Sequence, residues 1–316
     1  MPDQEAGPDQ EAGPNDAAPP DHAAGRTKRR ALLVVNRKAR SGLTAIDAAM
    51  SVLEAGGIDI VETEMVGREQ ICGEIREDAT ELDLVILGGG DGTLNAAAPA
   101  LVETGLPLGI LPLGTANDLA RTLGLPTALD KAAQIIVEGH SRAIDLGEVN
   151  GVFYFNVASV GFSATLAQRL TSEAKRRWGA FGYALAAARI LAESTPFRVE
   201  IAYDGKTERA RTIQVSVGNG RFYGGGMAVE QGASADDGRL DVYSLEVPHW
   251  WHLIKLAPSL RRGTQGQSKY VRAFHTTELT LWTRRRHDVN ADGELVTTTP
   301  ARFSIRPGAI KVFVPR

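Results

Sequence analysis

The stretch Leu82-Asp83-Leu84-Val85-Ile86-Leu87-Gly88-Gly89-Gly90-Asp91-Gly92-Thr93-Leu94-Asn95 decides the fold, because a largely apolar strand runs into glycines and then into the helix-forming segment Ala96 to Glu103. Glycines let the backbone turn sharply and approach a ligand with no Cβ in the way. The helix that follows presents unpaired N–H groups and a partial positive charge, and both favour an anion. The turn is suited to a nucleotide's phosphates. Two common fingerprints are excluded: no lysine follows as G-x-x-x-x-G-K-[ST] requires, and Thr93 stands where the last glycine of G-x-G-x-x-G belongs. Taken alone, the cluster is equally well a tight strand-to-helix turn.

A second motif, Leu111-Pro112-Leu113-Gly114-Thr115-Ala116-Asn117-Asp118, repeats the arrangement after the apolar run Leu106 to Leu111. Two such turns on neighbouring parallel strands face one crevice at the strands' carboxyl ends, where open α/β sheets bind ligands. That placement predicts Thr93, Asn95 and Thr115 around one anion; the plainer alternative is helix capping by Thr, Asn or Asp. Strands at 32–36, 58–62, 82–87 and 106–111, alternating with helices near 42–55, 69–78, 96–103, 117–123 and 129–139, predict an open, largely parallel α/β domain. From Ile144 onward short alternating strands, such as Val152 to Val157, Arg198 to Tyr203, Thr212 to Val217 and Arg239 to Glu246, predict a β-sandwich.

Two further motifs fall in that second half. Gly218-Asn219-Gly220-Arg221-Phe222-Tyr223-Gly224-Gly225-Gly226 places one arginine among many glycines. Asn290-Ala291-Asp292-Gly293-Glu294 sets two carboxylates astride a glycine, although Asp-Gly is also a common hairpin turn.

In this order and at these separations, the four motifs resemble the soluble bacterial diacylglycerol kinase-type lipid kinases of the YegS-like branch, which share a superfamily with sphingosine kinases and NAD kinases. The resemblance covers Ala31 to Arg316. It implies an α/β nucleotide-binding domain over 29–143, completed by a returning strand at about 303–316. It further implies a β-sandwich lipid-binding domain over 144–302, with the active site in the cleft between the two. By matching position it implies Asn36, Thr63, Gly89, Gly90, Asp91, Gly92, Thr93, Leu94, Asn95, Gly114, Thr115, Asn117 and Asp118 as nucleotide contacts. Asp292 or Glu294 is implied as the general base that takes a lipid hydroxyl's proton, and Asp91 as the partner of a catalytic magnesium or of the acceptor hydroxyl. ATP is the implied phosphoryl donor. With no lysine in the turn, cationic stabilisation is expected from Mg2+. A separate structural magnesium is implied at the Asp237 carboxylate with the carbonyls of Ser234 and Arg239. The first loop, Asn36-Arg37-Lys38-Ala39-Arg40-Ser41-Gly42, departs from the family's Asn-Pro-x-Ser-Gly by lacking the proline and having a longer spacing.

Composition sets the remaining bounds. At 316 residues, 43% hydrophobic and with Cys72 as the one cysteine, the chain can bury two cores and has no disulfide framework. No apolar run is long enough to span a bilayer and no secretory signal opens the chain, so a cytoplasmic enzyme with peripheral contact at the inner membrane surface is expected. Residues 1–28 are expected to be a disordered tail, with the tandem repeat Pro2-Asp3-Gln4-Glu5-Ala6-Gly7 and Pro8-Asp9-Gln10-Glu11-Ala12-Gly13. The tail holds six acids within residues 1–25, which leaves the remainder with 35 basic and 32 acidic side chains.

Lys175-Arg176-Arg177-Trp178 is a basic, aromatic segment suited to anionic headgroups, or equally to the solvated end of a packed helix. Scattered histidines disfavour zinc, and neither a strongly basic domain nor a reader motif points to nucleic acid. A homodimer is compatible with the sequence. Two other readings share the glycine and aspartate turn: a soluble-substrate kinase like the NAD kinases, and a non-catalytic nucleotide-binding regulator. The long β domain with its Asp-Gly-Glu motif favours the lipid branch over both.

Overall fold

The computed structural model describes residues 28–35, 43–64, 68–169, 189–190, 192–220, 222–223, 227–228, 234–247, 252, 268 and 270–316. Strands β1 (Arg29–Val35), β2 (Ile58–Glu64), β3 (Leu84–Gly89) and β4 (Leu108–Pro112) run parallel in the order β2-β1-β3-β4. Their apolar runs are continuous because helices cover both faces, as parallel sheets require. Ala49 and Leu53 of α1 (Leu43–Ala55) and Ile136 of α5 (Leu129–Glu138) pack with Leu33 and Ile86 on one face. Ile71 and Ile75 of α2 (Arg68–Glu77), Leu101 of α3 (Asp91–Thr104) and Leu119 of α4 (Asp118–Thr122) pack with Leu32, Val85 and Leu87 on the other.

The second half is antiparallel. It comprises β5 (Ser141–Val149), β6 (Val152–Tyr154), β7 (Val157–Gly161), α6 (Phe162–Arg169), β8 (Phe197–Tyr203), β9 (Lys206–Thr212) and β10 (Gln214–Gly218). The pair β11 (Phe222–Tyr223) and β12 (Met227–Ala228) follows, then β13 (Leu240–Leu245), β14 (Val271–Thr276), β15 (Glu278–Thr283), β16 (Asp288–Ala291), β17 (Glu294–Thr298) and β18 (Ala301–Phe313). One sheet has the order β14-β13-β10-β7-β16-β17. It faces β15, β8, β9 and the first part of β18 across a core built from alternate residues, among them Val160, Val199, Ile201, Val215, Val217, Val289 and Phe303.

The 13-residue β18 joins the halves. Its start pairs antiparallel with β15 through Leu281↔Ala301, and its end pairs parallel with β4 through Val312↔Leu108, so one sheet runs from β2 to β9. A register shift between Arg306 and Ile310 bends it against β5. The buried Asp145 carboxylate holds that bend by accepting the Gly308 amide at 2.8 Å and ties it to a second loop through the Gly238 amide at 2.7 Å. β5 itself runs through the boundary expected near Ala143.

Two local differences from the sequence expectation matter for function. Helix α3 begins at Asp91, five residues before the expected Ala96, and β3 keeps Gly88 and Gly89 in the strand, so Gly90 alone makes the turn. The expected single strand Val152 to Val157 is broken at Phe155 and Asn156. The reason is visible at the site: the amides of that break are consumed by a carboxylate instead of a ladder partner.

Candidate active site

Gly90 and Gly114 bring the first two turns into backbone contact. A Cβ on Gly114 would stand 2.5 Å from the Cα of Gly90, and one on Gly90 would stand 3.0 Å from the Cα of Gly114. Glycine is required at both places by this approach. Gly89 is constrained from another side, since its Cβ would collide with the Thr93 side chain at 2.4 Å. The ladder continues through the Leu113 amide to the Gly89 carbonyl at 3.0 Å, which fixes the second turn beside the first.

Within the first turn of α3, the Thr93 and Leu94 amides both donate to the Gly90 carbonyl, at 2.8 and 3.2 Å. The Asp91 and Gly92 amides lie at positions that have no intrahelical acceptor. The side chains sort clearly. Leu94 is in the core, Thr93 is buried over Gly89 and the amides of both are already spent on Gly90, so what this turn offers a ligand is the Asp91 and Gly92 amides. Thr115 is exposed. Asn117 adopts the left-handed conformation at φ 49°, donates through Nδ2 to the Gly114 carbonyl at 2.8 Å, and holds the second turn closed.

Asp91 clamps this second turn. Its oxygens accept the amides of Asp118 at 3.1 Å and Leu119 at 3.0 Å, capping a helix that has no cap of its own, and they accept Asn156 Nδ2 at 3.4 Å. Asp118 is buried beneath it. The alternative of capping by this motif's own Thr, Asn or Asp is not what is found, because α4 takes its cap from the neighbouring turn.

Asp292 does the same across the halves. It occupies a left-handed turn at φ 45°, and its amide donates to the Val157 carbonyl at 2.9 Å. Its carboxylate accepts three consecutive amides: Phe155 at 2.7 Å, Asn156 at 3.1 Å and Val157 at 2.9 Å. It also accepts the Asn95 side chain from α3. Burial pushes this carboxyl up to about 6, against the opposing pull of the amides and of Asn95. Among the described residues no cation offsets the burial, and the bonded partners are neutral donors. Glu294, two residues on, is exposed. Of the two carboxylates expected to share a role, Asp292 touches the glycine-rich turn's helix.

The third motif closes the same cluster. Asn219 is buried and donates through Nδ2 to the carbonyls of Asp145 at 2.9 Å and Phe155 at 2.8 Å, while the Asn219 and Gly220 amides donate to the Asn156 carbonyl. Asn156 thus meets Asp91, Asp292 and Asn219 at once. The oxygens Oδ1 of Asn95, Asn117, Asn156 and Asn219, the Tyr154 hydroxyl and Asn290 Nδ2 are buried with no protein partner. Buried polar atoms are normally satisfied, and such a concentration marks a place for water or a polar ligand. Tyr154 is held strongly toward its neutral form, first by burial and then by the Asp292 charge.

Asn156 and Asn219 carry no role in the sequence expectation. A lone amide in the run Tyr154-Phe155-Asn156-Val157 was the available signal. The structure assigns no contact to the following residues singled out from the sequence. Thr63 lies in β2 in register with Val34, and Asn36, Arg221 and Lys175 to Trp178 lie outside the described residues.

The turn expected to hold a structural magnesium is closed by its own side chains. Asp237 pairs with Arg239 at 3.1 Å, Asp236 accepts Ser234 and pairs with Arg142 at 3.2 Å, and the Ala235 carbonyl accepts the Asp145 amide at 2.7 Å. Among the described residues no three His, Cys, Asp or Glu side chains converge as a metal cluster. A single carboxylate already facing a guanidinium is a poor fit to Mg2+ unless Arg239 withdraws.

Comparison with known proteins gives this geometry a lineage. A model of the diacylglycerol kinase catalytic domain matches residues 30–149, and a model of the YegS C-terminal NAD kinase beta sandwich-like domain matches 156–314. A protein of Pseudomonas savastanoi pv. phaseolicola named "Probable lipid kinase YegS-like" is 33% identical over 293 residues, covering 92% of this chain and 94% of its own length. A Mycobacterium tuberculosis protein named "Diacylglycerol kinase" is 31% identical over 294 residues, covering 87% and 91%. A solved structure of a diacylglycerol kinase from Bacillus anthracis str. Sterne superposes with a TM-score of 0.77 at 26% identity, covering 92% of this chain and 98% of that one. Matched in both halves and in the same order, the chain belongs to the diacylglycerol kinase catalytic-domain family, in the branch that carries the YegS C-terminal beta sandwich-like domain.

Proposed function

We propose that the protein is an ATP-dependent lipid kinase that transfers the γ-phosphoryl of ATP to a hydroxyl of a membrane lipid such as diacylglycerol or phosphatidylglycerol. The observation that carries this reading is Asp292, a carboxylate held at about 6 by burial and bonded to Asn95 on the helix of the glycine-rich turn. A general base works best with a pKa near the operating pH. At neutral pH this group is mostly ionised, yet it retains enough basicity to take the proton of an alcohol as the phosphoryl group arrives.

The remaining roles follow from the same geometry. The open amides at the start of α3 and the Gly90–Gly114 contact form a side-chain-free bed for phosphates. Asp91 is the one acidic residue in that first turn. Oδ2 keeps a further lone pair beyond the Asp118 amide, whereas Oδ1 already accepts Leu119 and Asn156, so Asp91 is the residue that would hold Mg2+, through Oδ2, and the ion's charge would offset that of the transferring group. Asn95, Asn156 and Asn219 fix Asp292 and are positioning residues. At the 234–239 turn, any magnesium has to compete with Arg239 for Asp237, which makes it the weaker of two metal sites.

Among the described residues no helix is long and apolar enough to cross a membrane. We place the enzyme at the cytoplasmic face of a bilayer, where an acceptor lipid is reached from the surface. The test is incubation of the purified full chain with labelled ATP, magnesium and a total lipid extract. A labelled lipid supports the reading, whereas no labelled lipid, with labelled NADP formed in a parallel incubation that holds NAD, would move the protein to the soluble-substrate branch.

A further inference from the structure

The outward face of the strands β15, β8 and β9 carries arginines that the sandwich core does not use. Val199, Ile201, Ala210 and Leu281 point into the core, so their alternate neighbours face solvent. Arg198 lies directly opposite Arg211 in the β8–β9 register, and Trp282 lies opposite Glu200, which is itself opposite Arg209. Arg284 follows the end of β15, and Arg198, Arg211, Trp282 and Arg284 line one groove of about 610 Å³. Each of these four is exposed, Trp282 at 42%. Glu200 is the one acid lining the groove, and Arg209 pairs with it at 2.8 Å. Arg198, Arg211 and Arg284 have no acidic partner among the described residues, nor do Arg285 and Arg286, which continue the run.

Like charges directly opposite one another on neighbouring strands destabilise a sheet, and an exposed indole in the same groove leaves apolar surface in water. Both penalties are relieved when a negatively charged surface with an apolar layer beneath it meets the groove. We propose that this face docks on an anionic phospholipid bilayer, with the arginines on headgroup phosphates and Trp282 at the interface. The choice of a bilayer over an acidic protein or a nucleic acid rests on the lipid-kinase reading and on the tryptophan set among the arginines. None of the groove residues belongs to the Asp292 cluster.

Co-sedimentation of the full chain with phosphatidylglycerol or phosphatidylcholine vesicles tests this, with Arg198→Glu/Arg211→Glu, Arg198→Gln/Arg211→Gln and Trp282→Ala as variants. The wild type should bind the anionic vesicles, lose that binding in high salt and ignore phosphatidylcholine. The double reversal should lower vesicle affinity at least tenfold, and the glutamine pair and Trp282→Ala by several-fold each. Phosphorylation of a detergent-solubilised acceptor should stay unchanged, because none of these residues touches the site. The single Arg211→Glu adds a second signature: placed opposite Arg198, it should raise the melting temperature while weakening vesicle binding. Wild-type affinity in the double reversal, or capture of nucleic acid or acidic protein in place of vesicles, overturns the proposal. Vesicle binding through this face without phosphorylation of any lipid overturns the kinase reading instead.

Discussion

Asp237-Gly238 and Asp292-Gly293 are the same dipeptide in two turns, with both glycines in the left-handed region at φ 71° and 96° and only Asp292 sharing that region, at φ 45°. Their surroundings make them different objects. Asp237 is exposed and faces the Arg239 guanidinium, a pairing of the kind that contributes about 0–1 kcal/mol at a surface. Among the described residues Asp292 is bound only by neutral donors, and burial lifts its carboxyl to about 6. An acidic turn becomes chemical when its charge is partly withdrawn from water with only neutral donors around it. The Asp-Gly pattern by itself does not separate the two.

Five experiments press on that contrast. Asp292→Asn should reduce kcat by about 10²- to 10⁴-fold, the usual worth of a positioned base, with a native circular dichroism spectrum. Gly114→Ala should come next: its Cβ cannot coexist with Gly90, so calorimetry should find nucleotide affinity lowered about tenfold and stability lowered by about 1–3 kcal/mol. Third, kcat/KM should fall as pH drops through about 6, where Asp292 takes up its proton. The sign for stability is opposite to that of an ordinary carboxylate. Because the folded value lies above the unfolded one, protonating Asp292 favours the fold, so the rate should fall while the protein remains folded. Asn95→Ala removes a bond that lowers the pKa, and it should move this acid limb to higher pH. The smallest effect belongs to Asp237→Asn, which should leave kcat within about twofold. It should also abolish any rise in melting temperature that millimolar magnesium produces in the wild type.

The α/β half was legible because its signals are local. Continuous apolar strands, glycine turns and helices of normal length follow from parallel pairing with both faces covered. The sandwich was legible as alternation. What sequence could not give was the non-local satisfaction of backbone groups. The cap of α4 comes from Asp91, and the break between β6 and β7 exists because Asp292, far along the chain, accepts the amides of Phe155 to Val157. For the same reason Asn156 and Asn219 passed unassigned, and Leu94 was given a contact although its side chain is in the core and its amide is spent on Gly90. The Asp91 turn, Asn95 and Asp292 were all named from motifs, and they meet in one cluster. At the turn matched by position to a structural magnesium, sequence likewise did not show that Asp237 pairs with Arg239 and Asp236 with Arg142.

The most direct test of the account is single-turnover transfer from labelled ATP to lipid in mixed micelles, comparing wild type with Asp292→Asn at matched nucleotide occupancy. The account predicts labelled lipid from the wild type and transfer at least a hundredfold slower from the variant, with ATP affinity unchanged. Transfer by Asp292→Asn at the wild-type rate would contradict it.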